Sequence, residues 1–393
     1  MSRQQPQSEA ANRILAGCGG VVIAYVATLV LLFYRGAFLL DAHGHPLFVD
    51  FIEVWVAGRF ALQGRPAAPY DWHVHHAAQV AVIGHPVAGF LGWHYPPLFL
   101  FVAAALALLP YVPAFIAWIV ATALAYAATI WKITGRYEAA LVALAMPAAF
   151  GCALVGQNGF VSATILGGAL FALEKRPWLA GLLIGLLSYK PQFGLIFPII
   201  LLFDRNWRAL ASASIATLAL LAISWFAFGT APFGAFLGHL PGTADTVLDH
   251  GAAGFEKLQS VYGLMRWLGA DGVVAWIAHG AVVGVATLGM LWLWKQPVSH
   301  AAKAAALATV VLIATPYLYL YDFPMLAVPF AFLYRDRAFD RLEIAATVAA
   351  NLLMVVFVWA ALPIGPFLTV VPAALIARRV GVQSTDDVAL QRA

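Results

Sequence analysis

The chain has 393 residues, of which 63% are hydrophobic and only 10% charged, and its mean hydropathy is +0.86. A water-soluble domain carries roughly 25% charged residues on its wetted surface, so this composition excludes an ordinary soluble fold and points to one immersed in lipid. The formal net charge of +4 is too small for a nucleic-acid binder, and two cysteines in apolar segments, Cys18 and Cys152, give no basis for a disulfide framework, a redox motif or a zinc site.

In chain order, residues 1–13 are polar, carry Arg3 and Arg13, and read as a cytoplasmic tail. The apolar run at 14–34 is too long for a signal-peptide core and has no clear small-residue cleavage site, so it is read as a retained first membrane helix. Residues 35–95 form a first polar outer loop rich in His, Asp, Gly and Pro. Within it, Phe51, Val54, Trp55, Gly58 and Leu62 fall on one helical stripe, which predicts an amphipathic helix lying on the membrane surface. Asp50 opens that helix and Glu53 follows three residues later, nearly a capping box. An acid at the water–lipid boundary can equally act as a general base on a hydroxyl. His73, His75 and His76 suggest a metal cluster, but no carboxylate or cysteine spacing supports one, so a solvated loop and no metal are expected.

His94-Tyr95-Pro96-Pro97 leads into a series of apolar runs at 97–109, 113–131, 139–155, 160–173, 178–187, 191–203 and 210–228. A second outer loop covers 229–272, and further runs follow at 273–294, 304–320, 324–334, 344–362 and 366–377. Lys and Arg cluster between these runs, as cytoplasmic loops do: Lys132/Arg136, Lys175/Arg176, Arg205/Arg208, Lys295/Lys303, Arg335/Arg337/Arg341 and Arg378/Arg379. About thirteen runs would leave the C-terminus outside, against Arg378 and Arg379, so one run is re-entrant or split, with 97–131 the foremost place for it. The expectation is an all-α polytopic membrane protein with about twelve membrane helices in a helical bundle over 14–377, amphipathic helices in the outer loop, and a cytoplasmic tail at 378–393, disordered after Arg379. Alternating strand patterns are absent, which disfavours a barrel.

Charged groups inside membrane segments are costly and are functional suspects by default. Lys190 stands out, because it separates two runs too short to span alone. As the outer tip of a hairpin between Arg176 and Arg205, it is a point charge suited to a phosphate, or else a lysine snorkelling to the interface. Gly156-Gln157-Asn158-Gly159 sets two amides and two glycines at a helix break, which suits hydrogen bonding to a ligand or a plain polar turn. Thr315-Pro316 through Tyr317, Tyr319, Tyr321 and Asp322 is an aromatic break ending in an acid, fit to line a sugar site or to form an interfacial girdle. In the second outer loop, Glu256, Lys257, Gln259, Ser260 and Arg266 can meet a polar acceptor or simply face water.

Taken in order, these motifs resemble glycosyltransferase family 87. The resemblance runs from about residue 14 to residue 377 through Asp50–Arg59, Gly64, Pro69-Tyr70-Asp71, Tyr95-Pro96-Pro97, Gly156-Gln157-Asn158, Lys190-Pro191-Gln192, Gln259-Ser260 and Thr315-Pro316 to Tyr321-Asp322. It implies a membrane transferase with a GT-C-type helical bundle, using a polyprenyl-phosphate sugar, typically mannose, in building the cell envelope on the outer face of the bacterial inner membrane. It further implies Asp50 as catalytic base in an inverting transfer to a hydroxyl of a lipid or glycan acceptor. Lys190, Gln157, Asn158, His94 and Tyr95 would then hold donor phosphate or sugar. Glu53, Arg59, Tyr319, Asp322, Lys257, Gln259 and Ser260 would line the cavity or the acceptor side. No cofactor or metal is expected, since a lipid phosphate is already a good leaving group. Some members of that family carry a His in the late Thr-Pro motif, where this chain has Tyr317, Tyr319 and Tyr321. A lipid or solute transporter is the alternative: it would explain intramembrane polar groups and broken helices, but it predicts a repeat between halves that the sequence lacks.

Overall fold

The computed structural model describes residues 4–392 except 88 and 90, so the ends of both expected tails, residues 1–3 and 393, lie outside the described residues. Every regular element among the described residues is helical. In chain order these are α1 (Gln4–Tyr34), α2 (Phe51–Leu62), α3 (Trp72–Ile83), α4 (Leu100–Ala107), α5 (Tyr111–Thr134), α6 (Tyr137–Leu144), α7 (Pro147–Val155), α8 (Gly159–Leu173) and α9 (Pro177–Leu186). There follow α10 (Ile196–Phe203), α11 (Trp207–Phe228), α12 (Ala231–Ala244), α13 (Val261–Trp267), α14 (Gly272–Lys295), α15 (His300–Ala314), α16 (Ala327–Asp336), α17 (Arg341–Ala360) and α18 (Gly365–Arg392). The segment expected to be a disordered tail is thus the continuation of α18.

Among the described residues, four helices are long and apolar enough to cross a membrane: Leu15–Tyr34 of α1, then α5, α11 and α14. α6 and α7, bent by 61° at their break, make a fifth candidate. Their outward faces carry large exposed apolar residues such as Leu124, Ile215 and Leu288, as a lipid-facing surface does and a wetted one does not.

Two close packings set the directions. Gly181 of α9 lies against Ala209 and Ser212 of α11, and Gly185, one turn on, lies against Ala216 and Thr217. The two helices therefore run parallel, and α10 brings the chain back between them. The turn holding Lys190 sits at the end opposite Arg176 and Arg205, as the hairpin reading requires. Likewise Gly19 of α1 touches Leu141, and the Tyr25 hydroxyl donates to the Ala145 carbonyl at 3.1 Å, so α1 and α6 run parallel. α1 thus starts at the end where Arg136 lies.

The basic clusters meet at that end. Arg335 donates to the Ile133 carbonyl at 3.0 Å, Arg378 pairs with Asp340 at 2.7 Å, and Arg379 grips the fully buried Glu343 at 2.8 and 2.9 Å. The first helix starts and the last one leaves the bundle on this basic side.

The first outer stretch departs from expectation in two ways. α2 is not a half-wetted surface helix. Phe51 through Gly58 and Phe60 are all buried, because Ile52, Val56 and Phe60 make the helix apolar around nearly its whole circumference. It packs on α4, whose eight residues span only about 12 Å and are too short to cross a bilayer. At their crossing, a Cβ on Gly58 would meet the backbone of Ala103 and come within 2.8 Å of the Ala107 Cβ. Gly58→Leu is therefore expected to cost roughly 1–3 kcal/mol through overpacking, read as a lowered unfolding midpoint; an unchanged midpoint would mean the two helices do not meet so closely. The histidines, in turn, are not in a solvated loop: α3 carries them and buries His75 completely.

Candidate active site

The site lies at the end of the bundle opposite the basic clusters, where four connections meet: the start of α2, the 92–97 segment, the α7–α8 break and the α9–α10 turn, with the α15–α16 connection closing over them. Asp50 occupies the N-cap position of α2 with a helical backbone (φ −52°, ψ −33°), so its carboxylate makes no cap bond and the near capping box does not form. Asp50 and Glu53 instead turn to the same partner.

That partner is Gln157, whose Nε2 donates to Asp50 Oδ2 at 3.1 Å and to Glu53 Oε1 at 3.3 Å. Its amide orientation follows from a chain of donors. Asn158 Nδ2 donates to the Tyr95 hydroxyl at 2.7 Å, and that hydroxyl donates to Gln157 Oε1 at 3.1 Å. With its oxygen taken by Tyr95, the amide has both N–H groups left for the two acids. Tyr95 is fixed in turn, its carbonyl accepting from the Tyr70 hydroxyl at 2.9 Å. Asn158 Oδ1 is buried and has no hydrogen-bond partner among the described residues.

The glycines that flank the amides have separate reasons. Gly156 ends α7 with φ +75°, a left-handed conformation disfavoured for residues with a side chain, and any Cβ there would sit 2.6 Å from both Phe51 and Phe115. Gly159 starts α8 directly beneath the Tyr321 carbonyl, where a Cβ has no room. The break therefore packs its backbone against the Phe51 and Phe115 side chains on one side and the Tyr321 carbonyl on the other.

Lys190 is buried, not snorkelling. Its ammonium pairs with Asp322 Oδ1 at 2.8 Å and lies 5.5 and 5.4 Å from the ring centres of Phe193 and Tyr321. Asp322 is fully buried, and its second oxygen accepts from the Tyr319 backbone N–H at 3.2 Å. Tyr319 and Tyr321 stack at 5.2 Å with 13° between their planes and remain partly exposed.

The two acids sit in a field set by burial and by two lysines. Burial pushes the Asp50 carboxyl above its ordinary value, while the Gln157 bond and the charges of Lys257 and Lys190 pull it back. Glu53, only 6% exposed, is pushed up by burial and further by the charge of Asp50. Asp50 is the more accessible of the pair.

The remaining sequence candidates separate into two groups. His94, next in the chain to Tyr95, is exposed and contacts Thr243 of α12 at 3.2 Å. Lys257 is exposed. Gln259 and Ser260 have their polar groups taken by backbone. The Gln259 amide bonds Glu256 and Gly365 at 2.7 and 2.9 Å, and the Ser260 hydroxyl donates to the Pro316 carbonyl at 2.8 Å. They pin the second outer stretch to the 315–326 connection and so position Lys257. Arg59 does not join the cluster: it is exposed, lies 5.1 Å over the Trp55 ring, and is about 13 Å along the helix axis from Asp50.

Sequence reading missed His75. Its Nε2 meets the Glu53 carbonyl at 3.2 Å and its Nδ1 meets the Gln79 amide at 3.3 Å, which holds the first turn of α2 in place. The signal was present as a His and a Gln four apart on one helix face. Thr243 on α12 carried no such signal.

A model of glycosyltransferase family 87 matches residues 93–316, which is more than half of the chain and takes in Tyr95, the Gln157-Asn158 break and Lys190. No curated protein and no solved structure matches the chain. A chain with membrane-length apolar helices, matched over more than half of its length by that family's model, belongs to glycosyltransferase family 87.

Proposed function

We propose that this glycosyltransferase moves a hexose, mannose by family expectation, from a polyprenyl-phosphate sugar to a hydroxyl of a lipid or glycan acceptor. The observation that carries the reading is Asp50, a half-buried carboxylate oriented by the Gln157 amide and lying in the field of Lys190 and Lys257. In this reading the acceptor hydroxyl gives its proton to Asp50 while its oxygen attacks the anomeric carbon. The bond from that carbon to the phosphate oxygen breaks on the opposite side, and the configuration inverts. Charge then collects on the departing lipid phosphate. Lys190 has given one N–H to Asp322, which leaves two to receive phosphate oxygens. The vacant acceptor of Asn158 and the Tyr319–Tyr321 stack suit a sugar's hydroxyls and its apolar face. A phosphate leaving group met by two lysines asks for no metal.

With the short α4 left out and the start of α1 on the same side as the exit of α18, about twelve crossings bring the basic clusters inside and the site outside. That sidedness supports a bacterial inner membrane with the site facing the exterior. An enzyme of this family has no need of the inverted repeat that the transporter alternative calls for.

Two measurements test the reading on purified chain in nanodiscs. A β-linked mannosyl polyprenyl phosphate is expected to yield an α-linked product by NMR, and a β-linked product would refute direct displacement. The general base must be ionised, so kcat/KM is expected to rise with pH. Because burial raises the Asp50 carboxyl, the midpoint of that rise is expected above the ordinary Asp value of about 3.9. A midpoint at or below the ordinary value would exclude Asp50 in its buried setting as the base.

A further inference from the structure

α3 turns an unusual stripe inward. Its buried residues, His75, Gln79 and Ile83, follow one another at four-residue intervals, and two of the three are polar. The helix is firmly ended, by Asp71 accepting from the His73 and Val74 N–H groups and by Gly84 at φ +82°, so the stripe is held in register. Burial pushes the His75 imidazole down to about 4, and the ring is therefore neutral at neutral pH. Its Nε2 carries the proton, because the Glu53 carbonyl it meets at 3.2 Å can only accept, and its Nδ1 accepts from the Gln79 amide at 3.3 Å. The second Gln79 N–H goes to the Leu91 carbonyl at 2.8 Å, which leaves Gln79 Oε1 buried without a partner among the described residues. A buried acceptor left unmade costs stability, so two apolar residues would serve packing better.

We infer that His75 and Gln79 are positioning residues for the transfer, bracing the two halves of the Asp50–Gln157 contact against each other; the inference rests on Asp50 as the proposed base. One half is the start of α2, which carries Asp50 and Glu53 and is tied to α3 through the Glu53 carbonyl. The other is the 91–95 stretch, tied through the Leu91 carbonyl to Gln79 and through the Tyr95 carbonyl to Tyr70, just ahead of α3. Tyr95 in turn fixes Gln157 with its hydroxyl. The bonds from Gln157 to Asp50 and Glu53, at 3.1 and 3.3 Å, thus close a ring of contacts whose far side is α3. His75 touches the backbone of Glu53 and no carboxylate, so it acts through α2. In a reacting site a misplacement of about 1 Å can cost roughly 10²-fold in rate.

An α2 start that drifts from the amide loses the Gln157 bond, and that bond holds the Asp50 carboxyl down. The other groups facing Asp50 are Glu53 on its own helix, Lys257, Lys190, Tyr111 of α5, Tyr319 and Tyr321, with Tyr95 behind Gln157. All keep their charge when the neutral His75 is replaced, so the carboxyl midpoint reads the alignment. The test uses purified chain in nanodiscs, with undecaprenyl-phosphate mannose as donor and octyl α-mannoside as the acceptor probe. His75→Leu is expected to lower kcat roughly 10–100-fold with KM within about twofold of wild type. Its Asp50 carboxyl, followed by infrared difference between each protein and its Asp50→Asn counterpart, is expected to titrate at a higher pH than in wild type. His75→Gln keeps an N–H for the Glu53 carbonyl and is expected to recover most of kcat and the original midpoint. Gln79→Met, which gives up the Leu91 tie, is expected to follow His75→Leu and decides the matter if His75→Leu does not fold. An unshifted midpoint in His75→Leu would overturn the brace, as would a rate loss in His75→Gln as large as in His75→Leu. If wild type shows no transfer, or Asp50→Asn transfers as well as wild type, the proposed reaction or base fails instead, and the infrared midpoints alone then decide the brace.

Discussion

Asp50→Asn is expected to lower the transfer rate by roughly 10²–10⁴-fold, the range a positioned general base contributes, with little change in the unfolding midpoint. The two side chains have nearly the same shape. The Gln157 N–H that now meets Asp50 can still donate to the Asn carbonyl oxygen, so the α2 start stays in place. What Asn cannot do is accept the acceptor's proton. Glu53→Gln is the matched control. It sits on the same amide, 3.3 Å from Gln157, but is buried against the helix, where an acceptor hydroxyl has poorer access. A transfer assay that shows Glu53→Gln as damaged as Asp50→Asn would move the base to the pair as a unit. An active Asp50→Asn would remove Asp50 from the chemistry.

The second large effect concerns the buried ion pair. Lys190→Met leaves the fully buried Asp322 carboxyl without its cation, and is expected to cost roughly 3–5 kcal/mol in stability. The double variant Lys190→Met, Asp322→Leu removes both charges and is expected to unfold at a higher temperature than the single one. It should nevertheless be inactive, because no cation remains for the leaving phosphate. Thermal unfolding and initial rates, measured side by side, separate the two roles. Recovered stability with recovered transfer would show that Lys190 serves only the fold; a double variant no more stable than the single one would show that the pair is not the source of the loss.

The charges at the site were legible because the chain has so few. Lys190 at a break between short apolar runs, and Gln157-Asn158 between two glycines, both stand out against a lipid-facing background. Their connections were not legible. Nothing in local spacing pairs Lys190 with Asp322, or aims one amide at both Asp50 and Glu53, because these contacts arise from helix packing between distant segments. Gln259 and Ser260 look like ligand groups in a motif, yet they serve backbone atoms of Gly365 and Pro316 that only the fold brings near. The surface-helix reading of α2 failed for a different reason. Its apolar stripe was real, but Ile52, Val56 and Phe60 on the other side already argued for burial. Arg59 entered the site through the resemblance, as the end of the Asp50–Arg59 motif, and helix geometry carries it away from Asp50.

The Lys190–Asp322 pair also sets a schedule. Its partners are 132 residues apart, so at ordinary synthesis rates the lysine emerges on the order of ten seconds before its acid exists. During that interval α9 and α10 cannot complete a buried hairpin without stranding a cation in hydrocarbon. The nascent chain must therefore keep Lys190 at a wet or insertase-lined boundary until α15 and the segment after it arrive. Final closure of the catalytic end is in this sense a late event of biogenesis, timed by when the ribosome delivers Asp322.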